Sequence, residues 1–269
     1  MSPGPRTWSR PVLLVAAVAA LLVARQLLAP WTELRTDVGA EGVGAGTFPV
    51  VEVAGLGSRG GGFASLTSSL LAKGVPVLDF DAGEEGVQPL LYEPDDPDLG
   101  IAGLADSTVA PAIDEALARA GFDPDTHVDV VAHSTGGLAM RHLVEQVPGW
   151  AERVDDLVMV AVPNHGSTLV WLETRGRGPF NALGRDMRPG SSFLDGLGYA
   201  EPDGEVYTTV AGDPLLFTWL GPGIGFDDQV STTSPYLVGA ANNVYPSFHG
   251  RLLRNDGVIE LVVATLGAH

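Results

Sequence analysis

A chain of 269 residues, 45% hydrophobic, is long enough for one large domain with its own core and too apolar to remain disordered. Its formal charge of −18 speaks for a well-solvated surface and against a nucleic-acid partner, since phosphate backbones are held by basic surfaces. With no cysteine, disulfides, thiolate nucleophiles and zinc–thiolate sites are excluded.

Arg6 and Arg10 precede an uncharged apolar run, Val12 to Ala24, which Arg25 interrupts. The run is short for a membrane span and suits the core of an export signal. Residues 1–30 are therefore expected to be a signal peptide or a retained signal anchor. The protein is then secreted, or held at the outer face of the cytoplasmic membrane through residues 11–29. Residues 31–46 read as a linker, and residues 47–269 as one folded domain.

Phe48 to Ala54 reads as a strand, followed by the glycine-rich loop Gly55 to Gly62. Phe63 to Lys73 reads as a helix stopped by Gly74, and Val75 to Phe80 as the next strand. The acidic stretch from Asp81 to Asp98 lacks the ligand spacing of a calcium loop and reads as a solvated face, so no metal is expected. Ile101 to Ala120 has helical spacing and stops at Gly121. Val128 to Ala132 is a strand, Gly137 to Val147 a helix and Leu157 to Val162 a strand. Residues 168–204 read as an irregular cap. Val206 to Ala211 and Asn242 to Tyr245 are strands, and Val258 to Leu266 is the closing helix. Strands alternating with helices predict an α/β fold: a mostly parallel sheet, flanked by helices, with its chemistry at the carboxyl ends of the strands.

Ser134 stands at such an end, in Val-Asp-Val-Val-Ala-His-Ser-Thr-Gly-Gly. A sharp strand-to-helix turn would lift its hydroxyl above the sheet and place the next amide at a helix N-terminus. The small residues Ala132, Gly136 and Gly137 let such a turn close. A serine needs a base, and six histidines are available. His249 follows a strand and precedes the closing helix, so it is the chosen base, with His165 second. His133 beside the serine reads as a packing or orienting residue, and His127, His142 and His269 read as strand-start, surface and terminal residues.

The acid that orients such a base should lie between serine and histidine. Asp227 is preferred, with its neighbour Asp228 as the alternative and Asp213 less favoured. Asp256 follows His249 and reads as part of the start of the closing helix. Two amides should receive the oxyanion: Thr135 N–H, after the serine, and Leu56 N–H, in the first glycine-rich loop. That loop also fits a dinucleotide frame at Gly55, Gly57 and Gly60, with Asp79 as the acid, but this reading leaves the serine constellation unexplained.

With these residues placed, the chain from about Phe48 to Leu266 resembles the bacterial lipases and esterases of the α/β-hydrolase superfamily. The resemblance rests on Val-Val-Glu-Val-Ala-Gly-Leu-Gly, Ala-His-Ser-Thr-Gly-Gly, Val162-Pro-Asn-His-Gly-Ser167 and Met187-Arg-Pro-Gly-Ser-Ser-Phe-Leu194. Two positions depart from the family pattern. Ala54 stands where a histidine often precedes the oxyanion glycine, and Asp228 stands where glycine is usual in the acid turn. The resemblance implies hydrolysis of carboxylic esters, lipid-like ones in particular, through an acyl-enzyme on Ser134, with no cofactor and no protein partner. Transfer of the acyl group to an alcohol by the same residues, or a non-catalytic exported binding protein of this fold, are the alternatives.

Overall fold

The computed structural model describes residues 48–58, 61–81, 84, 86–92, 96, 98–176, 178, 180–202, 206–215 and 225–266. The expected export segment (1–30) and linker (31–46) lie outside the described residues. So do Gly60 and His269. Among the described residues no helix is long and apolar enough to cross a membrane.

Among the described residues five parallel strands form one sheet in chain order: β1 (Val50–Val53), β2 (Val128–His133), β3 (Val154–Val160), β4 (Val206–Gly212) and β5 (Ala241–Tyr245). All four residues of β1 are buried, as are the first five of β2, as expected where helices cover both faces of a parallel sheet. The polar strand β5, Ala-Asn-Asn-Val-Tyr, is an exposed edge. The other edge is shielded. Val50 N–H donates to the Pro76 carbonyl (2.8 Å), and Leu90 N–H donates to the Glu52 carbonyl (2.7 Å). The strand expected over Val75 to Phe80 thus shrinks to a single bridge at Val77, and a second bridge forms beyond it at Leu90. Proline within it offers no donor for a continuous ladder.

One sheet face is covered by α1 (Ala64–Ala72) and α8 (Asp256–Leu266), with Phe63, Leu66, Leu70, Val258 and Val262 packed on Val131 and Val158. The opposite face carries α2 (Ile101–Leu104), α3 (Ala110–Ala120) and α4 (Thr135–Gln146). Between α2 and α3, Ala105–Val109 winds as a π-helical turn, so the helix expected from Ile101 to Ala120 is continuous but widened. Pro111, just after it, lacks the N–H that would continue the α-helical ladder. Gly121 ends α3 at φ +82.

The cap region departs from the irregular course read for residues 168–204. It contains three short helices, α5 (Thr168–Thr174), α6 (Phe180–Asp186) and α7 (Ser192–Leu197). Ser167 Oγ accepts from Val170 N–H and Ser191 Oγ from Leu194 N–H, so a serine cap opens the first and the third.

Candidate active site

The turn after β2 holds Ser134 at φ +54 and ψ −127, a conformation that L-residues rarely adopt. Its amide donates to the Val160 carbonyl (2.9 Å) and its carbonyl accepts from Gly137 N–H (3.1 Å), which ties the turn to β3 and α4. Two glycines make the turn possible by lacking a side chain. A Cβ on Gly136 would lie 2.5 Å from the Ala54 carbonyl oxygen, and one on Gly137 would run into Val162. Ala132 is under no such restriction. Its methyl is fully buried within β2, opposite Val53 of β1 and Met159 of β3, so the frame tolerates alanine there.

The structure brings Ser134, His249 and Asp227 together. His249 Nε2 lies 3.0 Å from Ser134 Oγ, and its Nδ1 lies 3.0 Å from Asp227 Oδ2. All three are buried, with Ser134 8% exposed. With a carboxylate at Nδ1, that nitrogen carries the proton, and Nε2 is left to accept from the serine hydroxyl. His249 sits at the first position of a short 3-10 turn (His249–Arg254), and its N–H donates to the Asp227 carbonyl (2.8 Å). The second carboxylate oxygen of Asp227 accepts from Gln229 N–H (3.0 Å) and Val230 N–H (2.7 Å). Backbone and side chain of Asp227 therefore both fix the histidine.

The neighbouring Asp228 is exposed and adopts φ +86, the left-handed region usually given to glycine. Partial desolvation of its carboxyl by the neighbouring chain, and then the adjacent Asp227, raise it above the ordinary range. Asp213 is buried beyond the end of β4, where its N–H donates to the Tyr245 carbonyl (2.9 Å), and it does not take His249 Nδ1. His165 is also kept from Ser134. Its Nε2 lies 2.9 Å from the Tyr236 carbonyl, and its ring stacks on Tyr199 at 4.5 Å. His127 stacks on Phe48 and His142 pairs with Asp106. Asp256 is the first residue of α8, but the cap is Asn255, whose Oδ1 accepts from Gly257 and Val258 N–H.

Leu56 and Thr135 both border Ser134. A Cβ on Gly55 would lie 2.8 Å from Ser134 Cβ, so the loop carrying Leu56 runs directly against the serine. Thr135 is the first residue of α4, where the helix itself offers its amide no acceptor. Its hydroxyl donates to Met187 Sδ (3.3 Å), which seats the helix start on the cap. Asp79, the acid of the dinucleotide reading, accepts from Asp81 and Gln88 N–H and shapes a turn.

Two features escaped the sequence reading. His133 was read as packing or orientation, and its bond shows which. Its Nε2 lies 3.2 Å from the His249 carbonyl, and the two rings are 4.8 Å apart. Burial, and then His249, push the His133 imidazole down to about 3, so it stays neutral and donates from Nε2. The second feature is a buried ion pair between Arg141 and Glu145, four residues apart on α4. Arg141 is fully buried, its Nε donating to Glu145 Oε1 (2.7 Å) and Nη1 to Asn164 Oδ1 (3.2 Å), with Nη2 reaching the carbonyls of Leu197 and Gly198. Asn164 in turn donates to the Pro235 carbonyl (2.8 Å). The network joins α4 to the cap and to the chain leading into β5. Gly166, φ +85, lets the same segment pack on Met187 and Pro189, and Ser167 Oγ donates to the Gln229 carbonyl (2.6 Å), next to the acid turn.

Among the described residues, Asp129, Asp155 and Asp156 have carboxylate oxygens close enough to share a cation. They lie at the amino ends of β2 and β3, the opposite end of the sheet from Ser134.

A family model described as a domain of unknown function (DUF7379) matches residues 107–174, a span that includes Ser134. No curated protein sequence matches the chain. Solved structures do match. The mature form of Bacillus licheniformis lipase BlEst2 is 15% identical at TM-score 0.62, over 85% of this chain and 95% of that one. Aspergillus fumigatus lipase B is 19% identical at TM-score 0.57, over 84% and 53%. Phospholipase PlaB from Legionella pneumophila, in complex with thio-NAD, is 19% identical at TM-score 0.53, over 70% of this chain and 44% of that one. This chain therefore spans less than half the length of PlaB and about half that of lipase B. At these identities the likeness is one of fold.

Proposed function

We propose that this chain, an α/β-hydrolase by fold, is a serine hydrolase of carboxylic esters. The observation that carries the reading is the unbroken line of hydrogen bonds from Ser134 Oγ through both ring nitrogens of His249 to Asp227, each 3.0 Å long. These distances suit proton transfer. Ser134 Oγ attacks the ester carbonyl while His249 Nε2 takes its proton, and Asp227 stabilises the imidazolium that forms. The N–H groups of Leu56 and Thr135 receive the oxyanion. The imidazolium then protonates the leaving alcohol, and His249 activates water to release the acid from Ser134.

A lipid-like acyl group is favoured by large apolar side chains left exposed beside these elements. Leu169 and Leu172 are exposed on α5, and Phe226 and Phe248 immediately precede Asp227 and His249. Esters of p-nitrophenol with graded chain length test both statements. Turnover that disappears in Ser134→Ala supports the nucleophile, and a preference for longer chains supports the lipid-like substrate. Equal turnover in the Ser134→Ala protein would overturn the reading.

A further inference from the structure

The proposed mechanism has no use for Glu52, a fully buried carboxyl in the middle of β1. By strand alternation it shares a sheet face with Val50 and Ala54, among Phe63, Leu66, Leu70 and Val131. Its Oε2 lies 2.7 Å from Thr67 Oγ1 on α1, and among the described residues its Oε1 has no hydrogen-bond partner. Thr67 Oγ1 also lies 3.0 Å from the Phe63 carbonyl. A threonine hydroxyl has one proton, and a carbonyl can only accept. Both bonds are made together only when the threonine donates to Phe63 and the carboxyl donates to the threonine, which requires a neutral Glu52.

No described charge would favour the ionised form. On the sheet, Asp129 and Asp156 are buried acids on the same face, and Tyr245 borders it. On the covering helices, Lys73, Asp256 and Glu260 are exposed. Arg254 is exposed and donates to the Gly61 carbonyl, and the buried Arg141 belongs to the opposite face. Burial is the largest influence on the Glu52 carboxyl and raises it to about 8, against the Thr67 bond.

Glu52 and Thr67 flank the loop that supplies Leu56. Two residues after Glu52, the Ala54 carbonyl abuts Gly136 and Gly55 abuts Ser134, while Thr67 sits in the first turns of the helix after the loop. We propose that Glu52 is a positioning residue: as a neutral acid it clamps β1 to α1 across the oxyanion loop with both Thr67 bonds made, and loss of its proton forces Thr67 Oγ1 to give up one of them. The inference rests on the proposed role of Leu56 for its catalytic consequence, but not for the clamp itself.

The sign follows from linkage. An unfolded Glu52 ionises near its ordinary 4.5, the folded one only near 8, so folding stability falls as pH rises through that interval and then levels off. Glu52→Gln keeps a donor for Thr67 Oγ1 and removes the titration. In a Ser134→Ala background, denaturant titrations from pH 5 to pH 9 should show the Glu52 protein losing up to about tenfold in folding equilibrium per pH unit relative to Glu52→Gln, with the gap constant above about 8. Parallel stability curves would overturn the clamp. In the Ser134 proteins, the ratio of kcat/KM at pH 9.5 to that at pH 7 should be severalfold higher for Glu52→Gln, and equal ratios would overturn the catalytic consequence. If Glu52→Gln fails to fold, Thr67→Val serves instead: it removes the partner, so its stability at pH 6 should fall below the parent's, and an unchanged stability would overturn the clamp. A protein without esterase activity would sink the hydrolase reading while leaving the stability test of Glu52 intact.

Discussion

His133 donates from Nε2 to the backbone carbonyl of His249 at 3.2 Å, so the residue beside Ser134 holds the main chain of the residue facing it. The bond links the two sides of the site independently of the Ser134–His249 contact. His133→Phe keeps an aromatic ring and removes the donor. It should lower kcat roughly tenfold with KM nearly unchanged, because a small displacement of His249 costs reactive geometry and not substrate affinity. Steady-state kinetics on a short-chain ester checks this. A change confined to KM would contradict it.

The same imidazole sets part of the acid limit. It is neutral when folded and titrates near 3, while the unfolded residue takes its proton near 6.5. Stability is therefore fully present above pH 6.5 and is lost as pH falls toward 3, by up to about 1.4 kcal/mol per unit. Denaturation midpoints between pH 7 and pH 4 should fall less steeply in His133→Phe than in the parent protein.

Gly136 and Ala132 occupy the two ends of the serine frame under opposite constraints. Gly136→Ala places a methyl against two backbone carbonyls, those of Ala54 and Val53, which cannot yield as a side chain would. We expect a loss of about 1–3 kcal/mol and a drop in kcat, since the displaced segment leads into Leu56. Ala132→Gly removes a buried methyl and loosens a strand, at about 1 kcal/mol, with a much smaller effect on turnover. Urea titrations with parallel ester assays separate the two.

Arg141 and Glu145 should behave as a unit. Burial raises the Glu145 carboxyl, and Arg141 counters it. Arg141→Met strands a buried acid and should cost about 3–5 kcal/mol. Adding Glu145→Leu to that variant should recover part of the loss, because no uncompensated charge remains. Denaturant midpoints of the single and double variants decide this, and an equal or larger loss in the double variant would refute it.

The adjacent aspartates should separate cleanly. Asp227→Asn should reduce kcat by about 10³–10⁴-fold, as expected when the group that fixes the histidine tautomer is lost. Asp228→Gly should retain activity and gain up to about 1 kcal/mol, since φ +86 suits glycine. The opposite ranking of Asp227→Asn and Asp228→Asn in an ester assay would move the acid to Asp228.

Where local chemistry controlled the structure, the sequence was legible. The valine-rich strands, Gly74 and Gly121 at helix ends, and the small residues around Ser134 each act within a few positions, and the structure places them as read. The structure places Asp227, the preferred acid, at His249 Nδ1, with the amide of Val230 bound to its other carboxylate oxygen. The cap helices were missed because each is only about two turns long, too short for its periodicity to stand out, although Ser167 and Ser191 signalled two of the starts. The burial of Arg141 could not be read at all. An arginine four residues before a glutamate looks like a solvated pair, and the groups that hold it inside, Asn164 and the carbonyls of Leu197 and Gly198, are distant in sequence.

The order of strands in the sheet is also their order in the chain, and this bears on synthesis. Each strand emerging from the ribosome finds its neighbour already made, so the sheet can grow by addition at one edge without opening what has formed. The groups around Ser134 arrive on the same schedule: Leu56 after β1, Ser134 after β2, Asp227 after β4 and His249 only after the edge strand β5. A nascent chain would thus carry Ser134 for more than a hundred residues before His249, and the contact between the two could form only once the last of these strands has been made.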